Sequence, residues 1–488
     1  TSGDLLAAFE RSILLVSGSD LEAGEIHVIS DLQASAFTGT PLSAGLEAVP
    51  FVVFDERSAE TPNAYLDSLV IGGGLQPLTN QRTRLSIRVS GAPDSADVPL
   101  RLIIGNRIRG AGTGTSGGST LLPLGPFGIG SVSGYIETDP DDLRGDDRRF
   151  FAFQVRSPPM VATSGTSPFF LSEALPVLAD AGRVRMSSVR DAEVLLSIAG
   201  SGLMQATREG RAAVVLPPED PTLLPGLNRS LAAAGIPWRY GLFTGSGEAA
   251  ITRWNGSVNL EEVRVRSHYL LTPGDPDLER GVLARLSSGE PWLVEGTTPR
   301  GPYLLLASGL DDQSANLPLT AALIPLLEWM MSRWGGPEAG KESIPAGLPI
   351  TPPPGATGIR DPQGALHSVD DAQPFHATRW AGLYEIVQND STVGLVAVNT
   401  PSQESILAPI SSDELRDLLP GSMTLVADSS RWGRAVFSTG KGPEIWRWLL
   451  AVAMIVLMAE SLVAASGPTT IAPPSVRGTT QAKRPNAA

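Results

Sequence analysis

IWRWLLAVAMIVLMAESLVAA, residues 445–465, decides how the rest of the chain has to be read. As one helix at about 1.5 Å per residue the stretch reaches roughly 31 Å, matching the ~30 Å hydrocarbon core of a bilayer. Trp446 and Trp448 suit an interfacial aromatic belt, and Arg447 between them can snorkel to the headgroups. Glu460 weighs the other way, since a carboxylate at the bilayer centre costs about 2.5 kcal/mol or more. It lies nearer the end of the segment than its middle, where that penalty falls. A core helix of a globule is the competing reading, but the Pro-, Thr- and Ala-rich residues 466–488 that follow have no apolar pattern to pack with, and they are expected to be a disordered tail. A single C-terminal membrane span is therefore expected. Lys and Arg do not orient it: Arg431, Arg434 and Lys441 precede it, and Arg477, Lys483 and Arg484 follow.

Moving upstream, residues 357–440 read as a small β-rich domain, with strands at 382–386 and 394–398 and a short helix at 415–419. Residues 337–356, rich in Pro and Gly, read as a linker. Over 157–336 strand runs alternate with helical periodicity: helix at 169–179, strands at 193–198 and 212–216, helix at 227–234, strand at 303–307, and a long helix over 319–334 that contains Pro325. Residues 58–156 change texture to alternating runs such as RLSIRV (84–89) and LRLII (100–104) between Gly, Pro and Ser turns, the pattern of an antiparallel sandwich. Residues 1–57 give a helix with Leu5, Leu6, Phe9, Ile13 and Val16 on one face, then strand-length runs at 25–30 and 49–54, the back half of an α/β unit. The predicted fold class is thus multidomain, mixed α/β plus β, with one C-terminal transmembrane helix. The chain opens on Thr1 with no signal-like apolar run, and is expected to be the C-terminal part of a longer protein.

The 488 residues carry 37 Lys and Arg against 51 Asp and Glu, a net charge of −14. Phosphate recognition needs clustered cations, and no basic stripe is present, so nucleic acid is excluded as a partner. There is no cysteine, which removes disulfides, thiolate ligands and any Cys nucleophile. His27, His268, His367 and His376 are scattered without metal-ligand spacing and are read as structural or surface residues. No Gly-x-Ser-x-Gly elbow occurs; GSVSG (130–134) puts Val132 in the middle place. GTGTSG (112–117) has the letters of a dinucleotide fingerprint, but the Pro- and Gly-containing run after it cannot be the helix that would receive a pyrophosphate, so it is read as a hairpin loop. Asp139, Asp141, Asp142, Asp146 and Asp147 lack calcium-loop register, and with Arg144, Arg148 and Arg149 interleaved they read as a solvated turn into a strand at 150–155. Asp311 and Asp312, with Asn316 and Pro318, follow a strand and precede a helix, the place where α/β sheets put sites, though helix capping explains them as well.

Three stretches carry a likeness to a known family. EIHVISDLQ (25–33) resembles the fourth strand of a von Willebrand factor A domain. VLARLSSGEPWLVE (282–295) with YLLLASGLDDQSANLPLTAALIPLLEWM (303–330) resembles the class I glutamine-amidotransferase-like region of bacterial BatA-type, aerotolerance-regulator membrane proteins. AGLYEI (381–386), VAVNTPSQESILAPIS (396–411) and EIWRWLL (444–450) resemble the segment that closes the same proteins before their last membrane helix. In the family's order these cover most of the chain. The resemblance implies an A-domain remnant over 1–57 and a flavodoxin-like, amidotransferase-like domain over 157–336. It carries over Asp31 as a metal ligand, whose partners for Mg²⁺ belong to a part of the A domain not in this sequence. It further implies an inner-membrane protein with its bulk outside the cytoplasm, a scaffolding or protein-interaction role at the cell envelope, and partnership with a MoxR-type AAA+ ATPase and related A-domain proteins. With no thiol for the amidotransferase reaction, neither catalytic residues, a cofactor nor a small-molecule substrate are expected. The alternatives are a metal-dependent adhesion module working through the A domain, and a hydrolase using the Asp311–Asp312 loop.

Overall fold

A computed structural model describes residues 3–20, 24–37, 49–55, 62–93, 96–245, 247–254, 256–335, 343–370, 373–419, 423–436 and 445–465. Sheets and helices are mixed, and the chain divides into two units, each made from separated stretches of sequence. One unit takes Leu5–Leu32, Gly39–Arg57 and Ile410–Ala488; the other is built mainly from Ser58–Pro409.

In the first unit, helix Leu5–Ser17 buries Leu6, Phe9 and Ile13, one stripe at helical spacing, and sets Phe9 edge-on against Phe51 at 5.6 Å. Beneath it lies a parallel three-stranded sheet in the order Ile26–Ser30, Phe51–Asp55, Met423–Val426, with Val28 level with Val53 and Val53 level with Leu425. Phe51, Val52 and Val53 are all buried, with Phe9 of Leu5–Ser17 against Phe51 and Ala435 of Ser429–Ala435 against Val52, as on a parallel strand covered on both faces. The expected small β-rich domain over 357–440 is therefore corrected: residues 410–436 leave it to supply this unit's third strand. Two capped helices frame that strand. Ser411 and Glu414 form a reciprocal capping box on Ser412–Leu418, and Asp428 accepts from the Arg431 amide at the start of Ser429–Ala435. The unit ends in helix Ile445–Ala465, exposed throughout Trp446–Val463 and long and apolar enough to cross a membrane. The residues of the predicted tail, 466–488, lie outside the described ones.

The second unit starts with a sandwich. Tyr65–Ile71, Thr83–Ser90 and Ser119–Leu124 make one antiparallel sheet. Arg107–Gly114, Val98–Ile104, Gly130–Glu137 and Arg148–Val155, in that order, make the other. Along Thr83–Ser90, Leu85, Ile87 and Val89 point inward and Arg84 and Arg88 outward, so the period-two pattern sets which face is core. The GTGTSG run is not a hairpin: it carries the chain from one sheet to the other. A Cβ on Gly112 would lie 2.8 Å from Leu122 and one on Gly114 2.8 Å from Val89, so these glycines permit the two sheets to close at that edge.

A nine-stranded sheet follows, ordered Arg185–Met186, Met160–Ser164, Val194–Ile198, Ala212–Leu216, Gly301–Leu306, Pro291–Thr298, Val282–Leu286, Ala249–Thr252, Arg264–Val265. The first five are parallel and the others antiparallel. VLLSI and AAVVL are buried at every position, and form the centre of a core that also holds Leu171, Leu227, Trp292 and Met330. The long helix expected over 319–334 starts instead at Leu323, because Pro325 fits only in a first turn, where its missing N–H has no intrahelical partner to lose.

Last come five short strands ordered Ser343–Pro345, Ser391–Asn399, Gly382–Gln388, Gly358–Arg360, Leu366–Ser368 around Ile359, Tyr384 and Val398. Ser343–Pro345 runs parallel to Ser391–Asn399, so the expected linker over 337–356 already belongs to this sheet from residue 343; 336–342 lie outside the described residues. Asn399 ties the sheet to the sandwich. Its Oδ1 accepts from the Phe150 amide at 2.7 Å and its Nδ2 donates to the Phe150 carbonyl at 2.9 Å, imitating a ladder partner.

Candidate functional site

The carboxyl ends of parallel strands are where an α/β sheet exposes unpaired backbone, and a crevice of about 720 Å³ opens there, lined by Gly165, Ser167, Ala199, Ser201, Pro217 and Asp220 among others. Strand Val194–Ile198 leads into Ala199 at φ 52°, then Gly200, Ser201 and Gly202, then helix Leu203–Arg208. Strand, left-handed residue and helix in succession have the local shape of a nucleophile elbow. The side chain at the left-handed position is a methyl group. Beside it the Ser164 and Ser201 hydroxyls lie 2.9 Å apart, and among the described residues neither hydrogen-bonds to a histidine or a carboxylate. Nothing in the sequence reading singled out this crevice; the A-G-S-G run after an apolar strand was its signal.

Asp31 stands exposed just past the carboxyl end of Ile26–Ser30, and the Ser30 hydroxyl donates to its Oδ1 at 3.4 Å while accepting from the Leu32 amide at 3.0 Å. Among the described residues Asp31 belongs to no group of three metal-ligating side chains. The histidines are far apart in role. His27 sits 2.7 Å from Glu25 with its ring edge-on to Trp432, His367 is 2.9 Å from Asp361, and His376 is exposed. His268 is buried 4.0 Å from Glu290, and burial holds its imidazole below the usual value. In the Asp311–Asp312 loop, Asp311 Oδ1 accepts from the Gln313 amide at 3.0 Å and the Ser314 amide at 2.7 Å, and Asn316 Oδ1 from the Arg264 amide at 2.6 Å. These carboxylate and carboxamide oxygens hold the turn together.

The acidic run departs most from its expected character. Asp146 and Asp147 are only 5% and 6% exposed, and ligand oxygens of Asp141, Asp146 and Asp147 all lie within 4.8 Å of one another. The expected solvated turn is thus exposed at Asp139, Asp142 and Arg144 but buried at its end, at Asp146 and Asp147, and strand Arg148–Val155 begins at once after it. Of the arginines expected to neutralise it, Arg148 turns to Glu137 at 3.2 Å and Arg149 to the Leu66 carbonyl at 2.9 Å, while the exposed Arg144 keeps its charge near Asp147. Asn63, 6% exposed, donates through Nδ2 to Asp146 Oδ2 at 2.8 Å and to the Ser405 carbonyl at 2.9 Å. The Ala64 amide reaches Asp141 Oδ2 at 3.0 Å, and the Thr400 hydroxyl reaches the Gly145 carbonyl at 2.9 Å. Burial, reinforced by the neighbouring Asp141 charge, pushes the carboxyls of Asp146 and Asp147 up. Asn63 Oδ1 and Asp146 Oδ1 are buried without a hydrogen-bond partner.

No protein-family model matches the chain, and no curated protein matches it. Among solved structures, it is similar to the CARDB domain of a Pyrococcus furiosus protein determined in complex with di-metal ions, at 12% identity and a TM-score of 0.18, over 20% of this chain and 97% of that one. It is also similar to the apo structure of Bacteroides uniformis beta-glucuronidase 3, at 12% identity and a TM-score of 0.15, over 36% of this chain and 26% of that one.

Proposed function

We propose that the chain is a membrane-anchored, non-enzymatic scaffold or protein-interaction component of the bacterial cell envelope, of the BatA type, working with a MoxR-type AAA+ ATPase. The observation that carries this reading is the helix Ile445–Ala465. It is apolar and exposed along Trp446–Val463, and Arg447 lies over the Trp446 ring at 5.6 Å as an interfacial anchor would. Two further features support it. The parallel sheet with Asp31 at the carboxyl end of a strand suits an A-domain remnant, and the methyl of Ala199 at the elbow position suits an amidotransferase-like domain with no nucleophile. Domains of this kind act through contact surfaces, not bond-making. In this reading the bulk lies outside the cytoplasmic membrane, and the test is protease accessibility in cells that express the chain. Externally added protease should digest the folded region in intact spheroplasts; digestion only after lysis would overturn the orientation, and recovery of the full chain in the soluble fraction would overturn the anchor.

A further inference from the structure

We propose that a cleft between the outer face of the sandwich and the α/β layer binds the phosphate group of an organic phosphate, held by Arg82 and Arg84. The cleft has a volume of about 650 Å³, with Arg84 and Leu121 on the sandwich side and Ser257, Arg183 and Glu328 on the other. The turn Gly72–Gly74 carries the chain from one wall to the other. Leu75 after it packs against the α/β core, and a Cβ on Gly74 would collide with Ser257, so glycine at φ 83° lets the two walls meet at one end. Clefts formed where two layers adjoin are where small ligands most often bind.

Charge singles this cleft out. The chain as a whole carries −14, and four other clefts of about 400 to 720 Å³ have no excess of cations in their walls. Here Arg183 is spent on Glu328, the one carboxylate of the lining, and on Gln81 and the Gln76 carbonyl. Arg82 and Arg84 are exposed, and among the described residues neither guanidinium has an ion-pair or hydrogen-bond partner. They stand two residues apart, roughly 7 Å along an extended chain, they stay charged at any working pH, and an anion between them cancels their repulsion. The neighbouring surface shows what that anion is attached to. In register across the sheet, Ser86 lies between Val70 and Leu121, which are 41% and 56% exposed. An apolar bar beside two guanidiniums suits an anionic group on a carbon-rich body, not a free ion. A planar carboxylate is satisfied by one guanidinium fork, whereas two forks and the Ser257 hydroxyl of the opposite wall offer donors from several directions, as the tetrahedral oxygens of phosphate accept them. A soluble phosphate ester and a phospholipid head group present this same chemistry.

The test uses the full chain in micelles of an uncharged detergent, titrated in a calorimeter with glycerol 3-phosphate, with dihexanoylphosphatidic acid, and with succinate as a dicarboxylate of like charge. The expected result is one phosphate ligand per chain, with succinate weaker by at least about tenfold. Arg82→Gln and Arg84→Gln, both at exposed positions that leave the core untouched, should each weaken glycerol 3-phosphate by at least about tenfold, the loss that goes with a charge-assisted hydrogen bond. Arg88→Gln removes the same charge from the same sheet face but outside the cleft, and should bind as the wild type does. Affinity for dihexanoylphosphatidic acid about tenfold or more above that for glycerol 3-phosphate, with the advantage lost in Leu121→Ser, assigns the cleft to a phospholipid head group; equal affinity for the two assigns it to a soluble ester. Failure of both to bind by about 1 mM overturns the site. So does equal weakening by Arg84→Gln and Arg88→Gln, the mark of diffuse attraction to a charged face. Succinate held as tightly as the phosphates overturns the assignment to phosphate.

Discussion

Ala199 holds a backbone conformation that an L side chain pays for. At φ 52° its Cβ crowds the following carbonyl, which costs about 1–2 kcal/mol, while glycine in its place would give up ~0.4–1 kcal/mol through a freer unfolded chain. Ala199→Gly is therefore expected to stabilise by about 0.5–1 kcal/mol, read as a higher denaturation midpoint at an unchanged slope; a lower midpoint would show that the methyl's packing in the crevice outweighs the relief of strain. The sequence displays the A-G-S-G run but not the dihedral. The same boundary separates what was legible in the acidic run. Its five aspartates and interleaved arginines are plain in the sequence, but Asn63 reaches Asp146 across 83 positions and Ser405 across 342, and that folding-back, which buries Asp146 and Asp147, is not.

At the scale of elements, strands that are buried on both faces were readable because composition alone marks them: Ala212–Leu216 falls where the apolar run AAVVL stands, and the sandwich strand Thr83–Ser90 extends the alternation at 84–89 by a residue at each end. The ties between elements were not, because they rest on single polar residues. Arg183, just beyond helix Phe169–Asp180, forms an ion pair with Glu328 of helix Leu323–Ser332 and donates to Gln81 Oε1 at 2.7 Å and the Gln76 carbonyl at 3.0 Å, joining the sandwich to the α/β layer. Glu328 is 6% exposed, and burial lifts its carboxyl above the usual value even though the Arg183 charge pulls it down. Arg183→Met strands that carboxylate and is expected to destabilise by about 3–5 kcal/mol at pH 7.5, whereas Arg183→Met with Glu328→Leu should return to within ~1–2 kcal/mol of the wild type. The pH dependence follows from the direction of the shift. A raised folded-state pKa means that protonation favours the fold, with the gain complete below the ordinary carboxyl value and lost as pH rises through the folded one. The loss in Arg183→Met should therefore shrink as pH is lowered from 7.5 toward 5, and melts of the two variants across that range check it; a pH-independent loss would mean that Glu328 finds another partner.

Over the whole molecule, the C-terminal helix long and apolar enough to cross a membrane was the most legible feature and the chain's path the least. Ile445–Ala465 is found over the residues its composition marks, since a run of apolar residues long enough to cross a bilayer needs no tertiary context to be recognised. The unit that precedes it is discontinuous, with a 352-residue excursion, Ser58–Pro409, between its second strand and its third. The third strand, MTLV, has four residues, too few for periodicity to assign it to a sheet whose other strands stand near the chain's start. What makes it belong there is that Phe51–Asp55 is buried as a central strand and needs a partner on both edges. A chain ended after Pro409 therefore leaves Phe51–Asp55 as a bare edge and uncovers Val52, which packs with Val426 and Ala435. Hydrogen exchange should find the Phe51–Asp55 amides losing most of their protection in that chain, while those of Val194–Ile198, in the other unit, keep theirs. A chain ended after Val436 lacks the apolar helix Ile445–Ala465 too, yet retains the third strand and its helix, and should keep protection at both places. Equal protection of Phe51–Asp55 in the two shortened chains would mean that the returning strand contributes nothing to the sheet it joins, and that the sequence just ahead of the apolar C-terminal helix is not mechanically part of the N-terminal fold.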